Sequence, residues 1–323
     1  MDASESHGVR DQVAITAAGT GASGTAATVL SAVGSDKFGY EVRGVPDWDG
    51  DGYPELIVGA PFDDGPTDAT TNEGCCYFLF LDAGGGAVAG HRIDHPANPA
   101  FDDGTAADGI TGDEFCSSVA VLEDLDADGK PEFAIGAENF NAATNYYTGG
   151  VFITFLNAAD ATYRTSHLLA DDVGGFNIVA NGFPRDNPHF GHRVASMKQL
   201  TGIGVVDIAV SAFRDDDAQW DSGAVFMLSI NADGTVATHQ KLSKEHGMLG
   251  LKGDKIATPE AGNKFGESLE RLHDIDGDGA FELAIGTDDG NPSLHNRAYI
   301  IFFSPGSFVV RTAIALGTAA TSP

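Results

Sequence analysis

The sequence predicts an all-β fold, a β-propeller of four-stranded blades, and three observations carry that prediction. Glycine is abundant at 42 residues while Lys and Arg together number 18, so the chain is rich in turns and poor in the long cationic side chains that cover exposed helices. Short apolar and β-branched runs recur between glycine- and asparagine-rich turn signals. One unit is also repeated four times: a Phe-Gly-like pair stands at Phe38-Gly39, Phe115-Cys116, Phe190-Gly191 and Phe265-Gly266, at intervals of 77, 75 and 75 residues.

In chain order, residues 1–37 do not begin a full copy, but 13–18 and 26–32 align with the third and fourth strands of a unit and predict half a blade. The propeller then occupies 38–323, with repeats starting near 38, 115, 190 and 265. In the first copy, strands are expected over 40–45, 56–60, 76–81 and 87–93. The third strand recurs at 151–156, 225–230 and 298–303, and the last copy ends on a fourth strand over 309–315. Turns fall at 82–86 and 231–234. A four-stranded meander per repeat is a propeller blade, whereas the coils of a β-solenoid are shorter. Half a blade plus four leaves two outcomes: a small ring closing within the chain, or strands supplied by a neighbour at an open edge.

Carboxylates outnumber Lys and Arg 47 to 18, for a formal net charge of -29. That balance speaks against nucleic acid, whose phosphates are held by cationic side chains, and against adsorption to anionic lipid. No apolar run reaches the roughly 18 residues of a membrane span, and the first residues show no basic stretch followed by an apolar one, so neither direct membrane insertion nor a secretory signal is expected. There is no Asn-x-Ser/Thr sequon, because Asn291 precedes Pro292. The sequence has no H-E-x-x-H pair, G-x-S-x-G elbow, Walker loop or dinucleotide fingerprint, and the expectation is a binding or structural module and not an enzyme.

A negative surface favours divalent cations where its carboxylates converge, and here they do so by spacing. Nine residues after the Phe of each repeat begins a short loop. The first reads Asp47-Trp48-Asp49-Gly50-Asp51-Gly52-Tyr53-Pro54-Glu55. Acids at places one, three, five and nine, a backbone carbonyl at seven (Tyr53) and glycine at six wrap a hard cation much as an EF-hand loop does. The second loop offers Asp124, Asp126, Asp128, the Lys130 carbonyl and Glu132; the fourth offers Asp274, Asp276, Asp278, the Ala280 carbonyl and Glu282. Two like charges about 4 Å apart repel by roughly 4 kcal/mol at an effective dielectric near 20, so such clusters call for a counter-ion. The third loop has Gln199, Thr201 and Ile203 at the matching places and keeps only Gly204 and Asp207, which predicts three Ca2+ sites and one empty loop.

The Phe-Gly pair, the Asp-x-Asp-x-Asp-Gly loop and Gly59-Ala60-Pro61 together resemble the FG-GAP repeats of the integrin α-subunit propeller, over nearly the whole chain from Phe38 onward. The resemblance implies an extracellular or cell-surface propeller, with calcium loops on one face and ligand contacts largely on the other. Its implied function is an adhesion or ligand-binding module for a protein or glycan. The alternative is a structural subunit of a filament or surface assembly, joined to copies of itself through an open blade edge. One departure is the closing acid of the loop, Glu55, Glu132 and Glu282 where the family has Asp.

Weaker signals remain. Acidic clusters at Asp63-Asp64, Asp215-Asp216-Asp217 and Asp288-Asp289 read as solvated loops, or as ligand contacts on a propeller face. Trp48 and Trp220 are expected to pack between blades, and His192 to pack beside its repeat signature. Either Cys75 or Cys76 could reach Cys116 across neighbouring blades, or all three could be buried thiols.

Overall fold

The computed structural model describes residues 14–15, 36–64, 72–94, 112–140, 148–170, 188–216, 220–247, 261–288 and 297–317. Four sheets account for its strands, each an antiparallel meander in chain order. The first holds β1 (Glu41–Val45), β2 (Glu55–Ala60), β3 (Cys75–Leu81) and β4 (Ala87–Asp94); the second β5 (Phe115–Val121), β6 (Phe133–Ala137), β7 (Gly150–Leu156) and β8 (Tyr163–Ala170). The third holds β9 (Phe190–Lys198), β10 (Val206–Ala212), β11 (Ala224–Ile230) and β12 (Val236–Leu242); the fourth β13 (Ser268–Arg271), β14 (Leu283–Gly286), β15 (Arg297–Phe303) and β16 (Val310–Gly317). These are the four blades of a β-propeller, with boundaries within a residue or two of those read from the sequence. The half blade expected in 1–37 lies outside the described residues except for 14–15 and 36–37, and Ile15 packs on the first sheet beside Val58, Tyr77 and Leu79.

Blades are held to one another by apolar layers. Strands β3, β7 and β11 are buried along essentially their whole length because both faces are covered. One layer joins Phe78 of the first blade to Phe133 and Phe152 of the second; others join Ile153 to Phe226 and Met227 to Tyr299. On the fourth blade, by contrast, β15 is only partly covered, and Ile314 and Leu316 of β16 are exposed.

The repeated Phe is the joint. Phe115, Phe190 and Phe265 are fully buried, and their backbone N–H groups donate to the preceding blade at Glu73 (2.8 Å), Thr148 (3.0 Å) and Ser222 (3.0 Å). Each ring meets an aromatic on the third strand of its own blade edge-on, with centroids 5.3–5.5 Å apart: Phe38 on Tyr77, Phe115 on Phe152, Phe190 on Phe226 and Phe265 on Tyr299. The contact is so close that a Cβ on Gly149, whose φ is +78°, would lie 2.0 Å from the Phe190 carbonyl oxygen. Only glycine fits there.

Cys116 occupies the Gly place of its Phe-Gly pair and takes a left-handed φ of 71°. It is disulfide-bonded to Cys76 and not to Cys75, which is buried as a free thiol. The bond staples the first blade to the second. By the loop-entropy argument, a closure spanning 40 residues stabilises the fold by about 4 kcal/mol.

Candidate metal centre

Each loop between the first and second strands of a blade turns at its fourth and sixth places through left-handed backbone. The φ values are 84° and 95° at Gly50 and Gly52, 63° and 92° at Ala127 and Gly129, and 79° and 91° at Gly277 and Gly279. That double turn folds the acids inward. Asp47, Asp49, Asp51 and Glu55 converge with one oxygen from each within 4.8 Å of all the others, and the same holds for Asp124, Asp126, Asp128 and Glu132, and for Asp274, Asp276, Asp278 and Glu282. All the carboxylates read from the sequence are thus brought together, in three groups that could hold a metal ion.

The hydrogen-bond scaffold repeats as closely as the sequence. The first Asp accepts from the N–H of the sixth residue at 2.9 Å in all three loops, from Gly52, Gly129 and Gly279. The Asp at the fifth place accepts from the N–H of the seventh residue: Tyr53 at 2.8 Å, Lys130 at 3.0 Å and Ala280 at 2.9 Å. The closing Glu reaches back beneath the loop and accepts from the N–H of its second residue, Trp48 at 2.8 Å, Leu125 at 2.5 Å and Ile275 at 2.7 Å.

The closing glutamates are buried while the first two aspartates of each loop are exposed. Burial pushes the Glu55 and Glu132 carboxyls up to about 7, helped by the like charges of the three aspartates and opposed by the backbone hydrogen bond from Trp48 or Leu125. Glu282 is raised for the same reasons. Its Oε1 is buried with no hydrogen-bond partner. An orphaned, inward-facing carboxylate oxygen among three aspartates suits a hard cation.

The third loop keeps the turn, with φ of 72° at Gly202 and 67° at Gly204, but replaces the cluster with hydroxyls. Asp207 is buried and accepts from Thr201 N–H at 2.6 Å and Thr201 Oγ1 at 3.0 Å, and also from the Ser229 hydroxyl. Ser229 stands where the other three blades have Phe80, Phe155 and Phe302. This acid is satisfied by the protein itself.

Sequence reasoning missed two arginines. Arg164 pairs with Asp126 and lies 3.6 Å from Asp128; Arg311 pairs with Asp276 and lies 3.1 Å from Asp278. Both are the second residue of a blade's fourth strand, β8 and β16. Alignment of the repeats would have shown this shared place, but nothing in the local sequence points to a loop 35 or 38 residues away.

Of the other weak signals, some hold and some need correction. Asp63 and Asp215 are neither solvated nor ligand contacts: both are buried, Asp63 in a two-pronged pair with Arg92, and Asp215 with Lys241 Nζ at 2.8 Å. Asp217 and Asp289 lie outside the described residues, and Asp288 is exposed. Trp48 packs between blades as expected, against Phe78 and Phe133. Trp220 does not, and is 70 % exposed. His192 is buried, lies on Phe213, and shares a 2.6 Å hydrogen bond with Glu138 of the second blade.

Four-stranded sheets joined at Phe-Gly-like pairs, three of them with an acidic loop at the corner, define a class, the FG-GAP repeat propellers. The FG-GAP repeat family matches residues 38–72 and 115–153. Integrin alpha-PS2 of Drosophila melanogaster is 24% identical over 226 residues, covering 68% of this chain and 14% of the relative. Integrin alpha-4 of Xenopus laevis is 26% identical over 59% of this chain and 16% of its own length, and human integrin alpha-7 is 27% identical over 55% and 12%. The chain thus carries segments that match the FG-GAP repeat and is similar to integrin α-subunits, and it spans less than one-fifth of the length of these relatives. Among solved structures, a rhamnogalacturonan lyase aligns at a TM-score of 0.39 and 14% identity, covering 85% of this chain and 50% of that one, too low a score to carry an argument. No helix among the described residues is long and apolar enough to cross a membrane.

Proposed function

We propose that the chain works outside the cell as a calcium-stabilised propeller that binds a protein or glycan ligand, with no catalytic role. The observation that carries this reading is the convergence of four carboxylates in each of three equivalent loops. Asp47, Asp49, Asp51 and Glu55 would hold one ion with the Tyr53 carbonyl. Asp124, Asp126, Asp128 and Glu132 would hold a second with that of Lys130, and Asp274, Asp276, Asp278 and Glu282 a third with that of Ala280. The third blade would hold none. Calcium suits an all-oxygen set with flexible carboxylates better than magnesium, which prefers a small octahedral shell with retained water. Bound there, the ion exchanges carboxylate repulsion for attraction at a strand corner. Calorimetric titration of chelator-treated protein is expected to give three Ca2+ per chain; a value of zero would end the reading.

Ligand contacts are assigned to the opposite ends of the sheets, where the second strand turns into the third. Trp220 lies there and offers a large exposed aromatic surface. Surface plasmon resonance against matrix proteins and a glycan array, with calcium and with chelator, is the test. Calcium-dependent binding weakened by Trp220→Ala is expected, and no binder in either set would remove the adhesion role. A second reading, a subunit of an extracellular assembly, draws on the exposed Ile314 and Leu316 of β16. Mass measurement in solution separates the two, since a stable monomer speaks against assembly.

A further inference from the structure

We propose that Arg164 and Arg311 divide the three loops into two affinity classes, a tighter site at 47–55 and weaker, arginine-tuned sites at 124–132 and 274–282. The inference rests on the calcium reading above. Both guanidinium groups lie on the acids at the third and fifth places of their loops, the oxygens on which an incoming cation depends. The equivalent places on the other two blades, second residue of β4 and of β12, hold Val88 and Ala237. Among the described residues, no cationic side chain pairs with the carboxylates of the first loop. Lys130 approaches that loop only at the Trp48 carbonyl and ring.

The physical consequence follows from charge. A guanidinium stays protonated at any pH the protein meets, so each arginine is a fixed positive charge beside a site for a doubly charged ion. It occupies outward carboxylate oxygens, neutralises part of the cluster, and must share those acids with the ion or swing away. The arginine side chains are 36% and 44% exposed, which leaves room to do either. At about 6 Å in water, such a charge weakens calcium binding by about tenfold. The third blade fits the same logic: having no acid cluster at this corner, it carries alanine and not arginine at the tuning place.

Calcium titration against a chromophoric chelator, on the whole chain, tests this. Wild type is expected to fill one site about tenfold more tightly than the other two. R164Q and R311Q should each tighten one weak site by about tenfold, and the charge-conserving R164K should leave it weak. The reciprocal V88R should loosen the tight site by a similar factor. Three equal sites unmoved by R164Q and R311Q, or weaker binding in both, would overturn the tuning role while leaving calcium binding intact. No calcium uptake at all would overturn the calcium reading itself and this inference with it.

Discussion

The loops of the third and fourth blades have the same backbone turn and opposite chemistry. At Asp274, Asp276, Asp278 and Glu282, four acids face one another and Glu282 keeps a buried oxygen without a partner. At Gln199, Thr201, Ile203 and Asp207, one acid is left, and hydroxyls of Thr201 and Ser229 bond it. The contrast shows that one backbone turn can carry either an acid bonded by protein hydroxyls or a group of four acids that could hold a metal ion. The repeat conserves a turn, and the ligand set is free to vary on it.

The largest test of that contrast is removal of the ion. At free calcium about 100 times the Kd of the weaker sites, each site adds at least about 2.7 kcal/mol, or about 8 kcal/mol or more for three. Scanning calorimetry with chelator should then lower the melting temperature on the order of 10 °C, and added calcium should restore it. Next is the third loop itself. Asp207→Ala strands the Thr201 and Ser229 hydroxyls in a buried site and should cost about 3 kcal/mol in urea unfolding, equally with calcium and with chelator. Asp126→Ala and Asp276→Ala should each remove one bound ion by calorimetric titration and about 2.7 kcal/mol of calcium-dependent stability. Thr201→Ala should leave the number of ions unchanged.

A last test is pH dependence. Glu55 and Glu132 have folded values raised to about 7 from an ordinary 4.5, so without an ion the folded state favours their neutral forms. Their contribution is present below pH 4.5 and fades as pH rises through 7. In chelator, the melting temperature should therefore drift down between pH 5 and pH 8. In calcium, which needs the ionised acids, affinity should instead fall as pH drops below 7, and calorimetry in buffers of different ionisation heat should detect proton release on binding. A flat profile in both conditions would mean these glutamates are not coupled to the site.

How much of this was legible beforehand differs by feature. The strands were, because each blade repeats the same apolar runs and turn residues, and the observed β2 and β3 begin within a residue of their expected starts. The loops were too, since all the converging acids of a site lie within nine consecutive residues and a local turn alone brings them together. The choice of Cys76 over Cys75 was not: adjacent strand residues point to opposite faces, and only the packing of the second blade says which face meets Cys116. The buried pairs Asp63–Arg92 and Asp215–Lys241 were hidden in the same way, as were the arginines on the loops. Their partners lie 26 to 38 residues apart and meet only through the register of the fourth strand with the rest of its blade.

The sequence by itself determined the repeat, the blade, and the acid groups at its corners, because each of these is a short-range pattern of period, turn and spacing. Tertiary structure alone decided which cysteines pair, which acids are buried with cations, and which loops carry an arginine. Those outcomes depend on how one strand sits across from another, a distance in space that residue spacing does not encode.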